Sequence, residues 1–326
     1  MIVRSPFRPA PWLRNAHLQT VFASEARRMP ALDLDLEILE LPDGDFLELA
    51  WGPPADGPLI ILLHGVIGST ESKYARGMMQ AMTRRGWQSL LMLFRGAGGR
   101  PNRLPRGYHS GETDDFRHVL GELRRRFPER SLNAAGYSMG GNVLLKYLGE
   151  SGHDTPLDAA AAVSVPFDLD LCATAIGQGL SRHYQRYIIE AMRAAAREKF
   201  SRQSPPFPLP PLEQLQDFYA FDDALTAPLH GFRDARDYYR QASCGPFLAD
   251  IRRPTLVVHA EDDPFMTPAV VPREADLAPE VRLELSRHGG HVGFVAADRF
   301  GRPRYWLEER LPAFFEATAR TLRDSP

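Results

Sequence analysis

One stretch constrains this chain more than any other: Gly136-Tyr137-Ser138-Met139-Gly140-Gly141, preceded by the small residues Ala134 and Ala135 and followed at once by helix formers at 143–148. This G-x-S-x-G pattern is that of a nucleophile elbow, in which a strand turns sharply into a helix. Such a turn holds its serine at positive φ, so the neighbouring backbone must approach without bulky Cβ substituents. Gly136, Gly140 and Gly141 meet that demand. The pattern predicts that the Ser138 hydroxyl stands above a sheet and that the next helix aims its N-terminus at any oxyanion formed there. The bare pattern arises by chance in many chains, so its context decides.

That context is a chain of strands and helices. Residues 59–63 are a continuous apolar run without a polar face, as expected for a central strand covered on both sides. Residues 89–94, 159–165, 254–260 and 281–286 read as further strands, with helices predicted at 69–85, 112–127 and 143–149. This alternation implies a doubly wound parallel sheet with right-handed crossovers. Ahead of it, 34–41 and 46–51 alternate around Pro42-Asp43-Gly44-Asp45, an antiparallel hairpin. The first thirty residues, broken by Pro6, Pro9 and Pro11, read as an irregular arm that packs through Trp12, Leu13, Leu18, Val21 and Phe22. After residue 167 the alternation stops. A helix is expected over 180–200, then a proline-rich break at 204–211 and shorter helices at 212–218 and 234–241. Alternation resumes with strand 254–260, a helix near 270–277, strand 281–286 and a last helix over 305–322. The partition is therefore 1–167 (arm and first part of the core), 168–250 (inserted helical lid) and 251–326 (remainder of the core).

A serine hydroxyl is a weak nucleophile until an imidazole takes its proton, and a carboxylate fixes that imidazole's tautomer. In this architecture the acid and then the base follow the serine, on loops at the carboxyl ends of later strands. The loop after 254–260 holds Asp262 and Asp263. Asp263 is the preferred acid because Pro264 follows it, with Asp262 the alternative. The loop after 281–286 holds His288 and His291. His291 is the preferred base because Gly289 and Gly290 let the loop reach back over the serine. His64 closes the first buried strand and is expected to brace its loop. The oxyanion requires two backbone donors, assigned to Met139 and to Val66 in the turn after His64. Gly96-Ala97-Gly98-Gly99-Arg100 resembles a phosphate cradle but lacks the full dinucleotide fingerprint and a following helix, so no cofactor and no metal are expected. Tyr108, His109 and Glu112 are placed either at the mouth of the pocket or as ties for a long loop.

A net charge of -2 gives no reason to expect nucleic acid as a partner. No run approaches the roughly 18 apolar residues of a spanning helix, and the proline-broken opening lacks an apolar signal core. With two cysteines, Cys172 and Cys244, free thiols in the cytoplasm are the expectation.

Several stretches together resemble the YheT-type branch of the α/β-hydrolases. They are Asn15-Ala16-His17-Leu18-Gln19-Thr20, His64-Gly65 with Gly68-Ser69, Phe94-Arg95-Gly96 and Pro101-Asn102-Arg103-Leu104. Tyr108-His109-Ser110-Gly111-Glu112-Thr113-Asp114-Asp115, the elbow through Asn142, Asp262-Asp263-Pro264-Phe265 and Gly290-His291 with Gly293-Phe294 complete the set. The resemblance implies an α/β-hydrolase fold: a mostly parallel eight-stranded sheet, helices on both faces and an inserted helical lid. It also implies a Ser-Asp-His triad that hydrolyses carboxylic esters without a cofactor, on a small-molecule ester or lipid. Some eukaryotic relatives act on medium-chain esters or phospholipids, and they often carry a membrane anchor, which is not expected in this chain. Ala97 stands where relatives often have cysteine, so that position is not essential to the chemistry. Transfer of the acyl group to an alcohol, or a non-catalytic scaffold that has kept the fold, are the competing readings. Dehalogenase chemistry is disfavoured, because the nucleophile position holds serine and not aspartate.

Overall fold

The computed structural model describes residues 1–324. Strands β1 (Ile2–Arg4), β2 (Asp35–Glu40), β3 (Phe46–Trp51), β4 (Leu59–Leu63), β5 (Gln88–Leu93), β6 (Leu132–Tyr137), β7 (Ala159–Val163), β8 (Thr255–Ala260) and β9 (Val281–Ser286) form, among the described residues, one nine-stranded sheet. Its order is β1-β9-β8-β7-β6-β4-β5-β3-β2. The pairs β2–β3 and β3–β5 are antiparallel and the rest parallel, so β3 alone runs against the other strands. The sheet has one strand more than expected, because Ile2–Arg4 in the arm pairs in parallel with Leu283–Leu285. A separate hairpin, β10 (Val295–Ala297) with β11 (Pro303–Tyr305), follows the last long strand.

Alternation within each buried strand divides the interior into two layers. Leu59, Ile61 and Leu63 of β4 enter one apolar cluster, while Ile60 and Leu62 enter the other, as a period of two requires. The arm contributes helix α1 (Ala16–Val21), and helix α2 (Lys73–Thr83) covers the second layer through Ala75, Met78, Met79 and Met82. Helices α3 (Asp114–Arg126) and α4 (Met139–Ser151) cover the first, with Phe116, Val119, Leu120, Val143, Leu144 and Leu148. Helices α5 (Leu169–Ile176), α6 (Arg182–Arg202), α7 (Phe218–Phe221), α8 (Ala227–Leu229) and α9 (Ala235–Ala242) lie between β7 and β8 in the chain. The last helix, α10 (Leu307–Asp324), packs beside α2 through Leu307, Leu311 and Phe315.

Two local expectations are corrected. Residues 270–277 do not make one helix but two short 3-10 turns, Pro268–Val270 and Glu274–Asp276. Pro272 lies between them, removing a backbone donor and holding Val271 extended (φ -68°, ψ 124°). The helix expected over 212–218 is a single turn at Leu212–Gln214.

Candidate active site

The elbow is built by close backbone approach. Ser138 sits at φ 51°, ψ -120°, and its N–H donates to Val163 O at 2.8 Å, which anchors the turn to β7. A Cβ on Gly136 would lie 2.4 Å from Gly140 O, and one on Gly140 would lie 2.5 Å from Leu63 O and from His64 O. Only glycine lets α4 start this tightly over β6 and β4. Asn142, fully buried in the first turn of α4, donates to Ser110 O and Ala242 O at 2.7 Å each and accepts from Cys244 N–H at 2.9 Å. The elbow is thereby tied to the loop before α3 and to the end of α9.

Three side chains converge there. His291 Nε2 lies 3.0 Å from Ser138 Oγ, and His291 Nδ1 lies 2.9 Å and 3.2 Å from the two oxygens of Asp263. Asp263 is buried, and its Oδ1 also accepts from Phe265 N–H at 2.9 Å. The Phe265 ring stacks on the imidazole, centroids 3.9 Å apart and 6° from parallel, leaving the ring little freedom to tilt.

The alternatives form a second, more exposed pair. His288 Nδ1 meets Asp262 Oδ2 at 3.3 Å, and Asp262 Oδ1 accepts from Gly290 N–H at 3.0 Å. Burial raises the Asp262 carboxyl above its ordinary range. Asp262 thus holds the base of the His291 loop, and the structure brings Asp263, not Asp262, to His291.

The sequence motif of the arm acquires a purpose here. His291 N–H donates to Thr20 Oγ1 at 2.9 Å. Fully buried Gln19 donates through Nε2 to Leu13 O (2.6 Å) and Val295 O (3.0 Å), and its Oε1 accepts from Val295 N–H (2.7 Å). A Cβ on Gly290 would fall 2.5 Å from Ala16 O, and one on Gly293 would fall 2.8 Å from Gln19 O. Two glycines therefore let α1 press directly on the loop that carries the imidazole. Gln19, Thr20 and Phe265 belong to the family-like motifs, but nothing in their spacing assigns them to His291.

Val66 and Met139 both line the cavity at Ser138. The turn that carries Val66 is rigid. Gly65 N–H donates to Tyr74 Oη at 2.8 Å and Ile67 N–H donates to Tyr108 Oη at 3.2 Å. His64 Nδ1 donates to Gly65 O (2.6 Å) and Nε2 accepts from Phe94 N–H (3.2 Å), which defines a neutral tautomer. Burial pushes the His64 pKa down to about 4, so this residue braces the turn as a neutral ring.

The loop 95–110 is fastened from below. Arg95 is bidentate to Asp115 (2.7 and 2.6 Å) and reaches Asp43 (2.7 Å) and Asp45 (3.1 Å). Asn102 adds a bond to Asp45 at 2.7 Å. The glycines at 96 and 98 serve this packing: added Cβ atoms would meet Asn102 Oδ1 at 3.1 Å and Glu48 Oε2 at 2.0 Å. Tyr108 and His109 line the cavity, whereas Glu112 pairs with Arg106 at 2.6 Å.

The cavity at Ser138 has a volume of about 120 Å³ and is walled chiefly by apolar groups, among them Leu169, Ile176, Ile188, Met192 and Met266. A wider groove of about 360 Å³ between α6 and the loop 95–107 shares Val66, Tyr108, Met192 and Thr226 with it. Among the described residues one grouping has metal-donor geometry: His109, Glu112 and His230, with ligand atoms within 4.8 Å of one another. His109 Nδ1 accepts from Gly111 N–H, so the single lone pair of the neutral ring is already used, and Arg106 occupies Glu112. The donor set does not suit an ion.

The family described as alpha/beta hydrolase fold matches residues 58–298. The chain is 44% identical to "Putative esterase YheT" of Escherichia coli over 94% of its own length and 92% of that protein. It is 31% identical to the monoacylglycerol lipase of Saccharomyces cerevisiae, over 79% of this chain and 59% of that one. Among solved structures, the esterase Pf2001 of Pyrococcus furiosus superposes with a TM-score of 0.56 at 16% identity, over 89% of this chain and 98% of that one. The strand order, the elbow and these similarities agree, and the chain belongs to the α/β-hydrolase family, in its YheT-like branch.

Proposed function

We propose that this protein is a serine hydrolase of carboxylic esters that works through an acyl-enzyme. The observation that carries the reading is the unbroken relay from Asp263 through His291 to Ser138, with steps of 2.9 and 3.0 Å. As Ser138 Oγ attacks the ester carbonyl, its proton passes to His291 Nε2, and Asp263 stabilises the imidazolium through Nδ1–H. The carbonyl oxygen becomes an oxyanion that accepts hydrogen bonds from the backbone N–H groups of Val66 and Met139, next to the N-terminus of α4. Collapse breaks the bond to the alcohol oxygen, which leaves with the proton from His291. Water then repeats the sequence on the acyl-enzyme, releasing the acid and restoring the serine.

In this reading residues 168–250 act as a lid whose helices wall the acyl site. Short- to medium-chain acyl esters, or lipids carrying them, are the proposed substrates. Support comes from the apolar walls of the cavity and from relatives bearing the names esterase, monoacylglycerol lipase and, for the mouse protein that is 28% identical over 90% of this chain, phospholipase ABHD3. A fluorophosphonate probe tests the nucleophile: the wild-type chain labels and Ser138→Ala does not. A chain-length series of para-nitrophenyl esters then maps the acyl site. Folded wild-type protein that neither labels nor turns over any of these esters would refute the proposal.

A further inference from the structure

One wall of the catalytic cavity is unlike the rest. Asp222, 4% exposed, lines it together with Thr226, Tyr238, Tyr239 and Phe218. Both carboxylate oxygens are held by neutral hydroxyls: Thr226 Oγ1–H donates to Oδ1 at 2.5 Å and Tyr239 Oη–H donates to Oδ2 at 2.7 Å. Among the described residues no lysine, arginine or histidine pairs with it, and the other charge that acts on it, Asp223, has the same sign. Burial pushes its pKa up to about 6, while the two hydroxyl donors favour the ionised form. The bases in this region, Arg106, Lys146 and Lys199, act instead on His109 and His230, and together with burial they keep those rings neutral.

A buried carboxylate without a cation is costly, and a cavity meant for hydrocarbon alone gains nothing from it. The Tyr239 bond ties the helical run 218–229 to α9, but an amide at position 222 could hold the same two hydroxyls without a charge. The neighbouring groups suit a cation. The Tyr238 and Tyr239 rings are 5.2 Å apart, and aromatic faces attract ammonium groups.

We propose that this wall is a subsite for an ammonium group carried by the ester substrate, with Asp222 as its counter-charge and Phe218, Tyr238 and Tyr239 as the surrounding rings. The inference rests on the reading of Ser138 as the nucleophile of an ester hydrolase.

Two isosteric pairs test it. Acetylcholine and its analogue with carbon in place of the quaternary nitrogen put the cation in the alcohol part. The para-nitrophenyl esters of a trimethylammonium-capped and a tert-butyl-capped butyrate put it in the acyl part. In one pair the cationic member is expected to have the higher kcat/KM by at least about tenfold, and Asp222→Asn to bring that ratio close to one. Equal or inverted ratios in both pairs, or a ratio that survives Asp222→Asn, overturn the proposal. Should that variant not fold, calorimetric titration of the wild-type chain with tetramethylammonium, against tert-butanol as neutral control, decides the same question. Saturable binding of the cation alone supports the subsite, and equal or absent binding overturns it. Ester turnover with no cation preference would sink only this inference, whereas absence of both turnover and fluorophosphonate labelling would sink the reading of Ser138.

Discussion

The Gln19→Leu variant isolates the grip of the N-terminal arm on the catalytic loop. Leucine nearly matches glutamine in volume but can neither donate nor accept. It would strand Leu13 O and Val295 N–H, now satisfied at 2.6 and 2.7 Å, and would remove one of two bonds to Val295 O, which keeps Ala10 N–H at 3.0 Å. Leaving a buried polar group unpaired costs about 1–3 kcal/mol, and partial relaxation keeps each loss near the lower end, for a total of about 2–3 kcal/mol. An unfolding entropy of about 2.1 cal/mol/K per residue converts this into a fall in Tm of roughly 4 °C for a chain of this length. Because Val295 directly follows the segment that carries His291, the loss should also reach the chemistry. We expect kcat for a para-nitrophenyl ester to fall at least about tenfold with little change in KM, since a small misplacement of a catalytic group is enough for that. Scanning calorimetry and steady-state kinetics read both quantities. A variant whose Tm stays within about 1 °C of wild type and whose kcat is unchanged would refute the claim that the arm organises the loop.

Further outcomes follow from the same geometry. Ser138→Ala should lower turnover by about a million-fold while leaving the chain folded, as removal of a triad nucleophile does. Asp263→Asn should cost about ten-thousand-fold in kcat through loss of the imidazole's orientation, whereas Asp262→Asn should cost far less; equal losses would reverse that assignment. His64, His230 and His259 all have their pKa values lowered to about 4, first of all by burial. The unfolded chain therefore binds protons that the folded chain refuses between about pH 6.5 and 4, so stability falls as pH drops through that window, by about 1.4 kcal/mol per pH unit for each histidine. His259 Nδ1 is buried without a hydrogen-bond partner, so His259→Phe should flatten the pH dependence of Tm by one proton's worth. An unchanged slope would show that this ring does not contribute.

The parts of the fold legible from sequence were those encoded locally. The five apolar residues of β4 suit a strand covered on both faces, and Gly136 is required by contact with Gly140 a few residues away. The chain order of serine, acid and base put Asp263 and His291 on adjacent strand ends. The edge strand Ile2–Arg4 carried no comparable signal, because three residues show no periodicity and their partners lie some 280 positions later. The choice between Asp262 and Asp263 was open for a related reason. Both sit in one turn, and only the direction each carboxylate takes, one to Gly290 N–H and the other to His291, separates them. Asn142 and Gln19 read as motif letters, and their three hydrogen bonds each became visible only when distant backbone came together. Asp222 gave no warning at all, being one acid beside another in a helical stretch.

The pairing of Ile2 with Leu283, and of Thr20 with His291, has a consequence for how the molecule is made. During synthesis the opening segment leaves the ribosome long before the strand and loop it must meet, and the central strands can collapse in the meantime. The imidazole gains its clamp only when that early segment swings back onto the late one. Hydrolytic competence should therefore be the last property the nascent chain acquires, well after most of its sheet has formed.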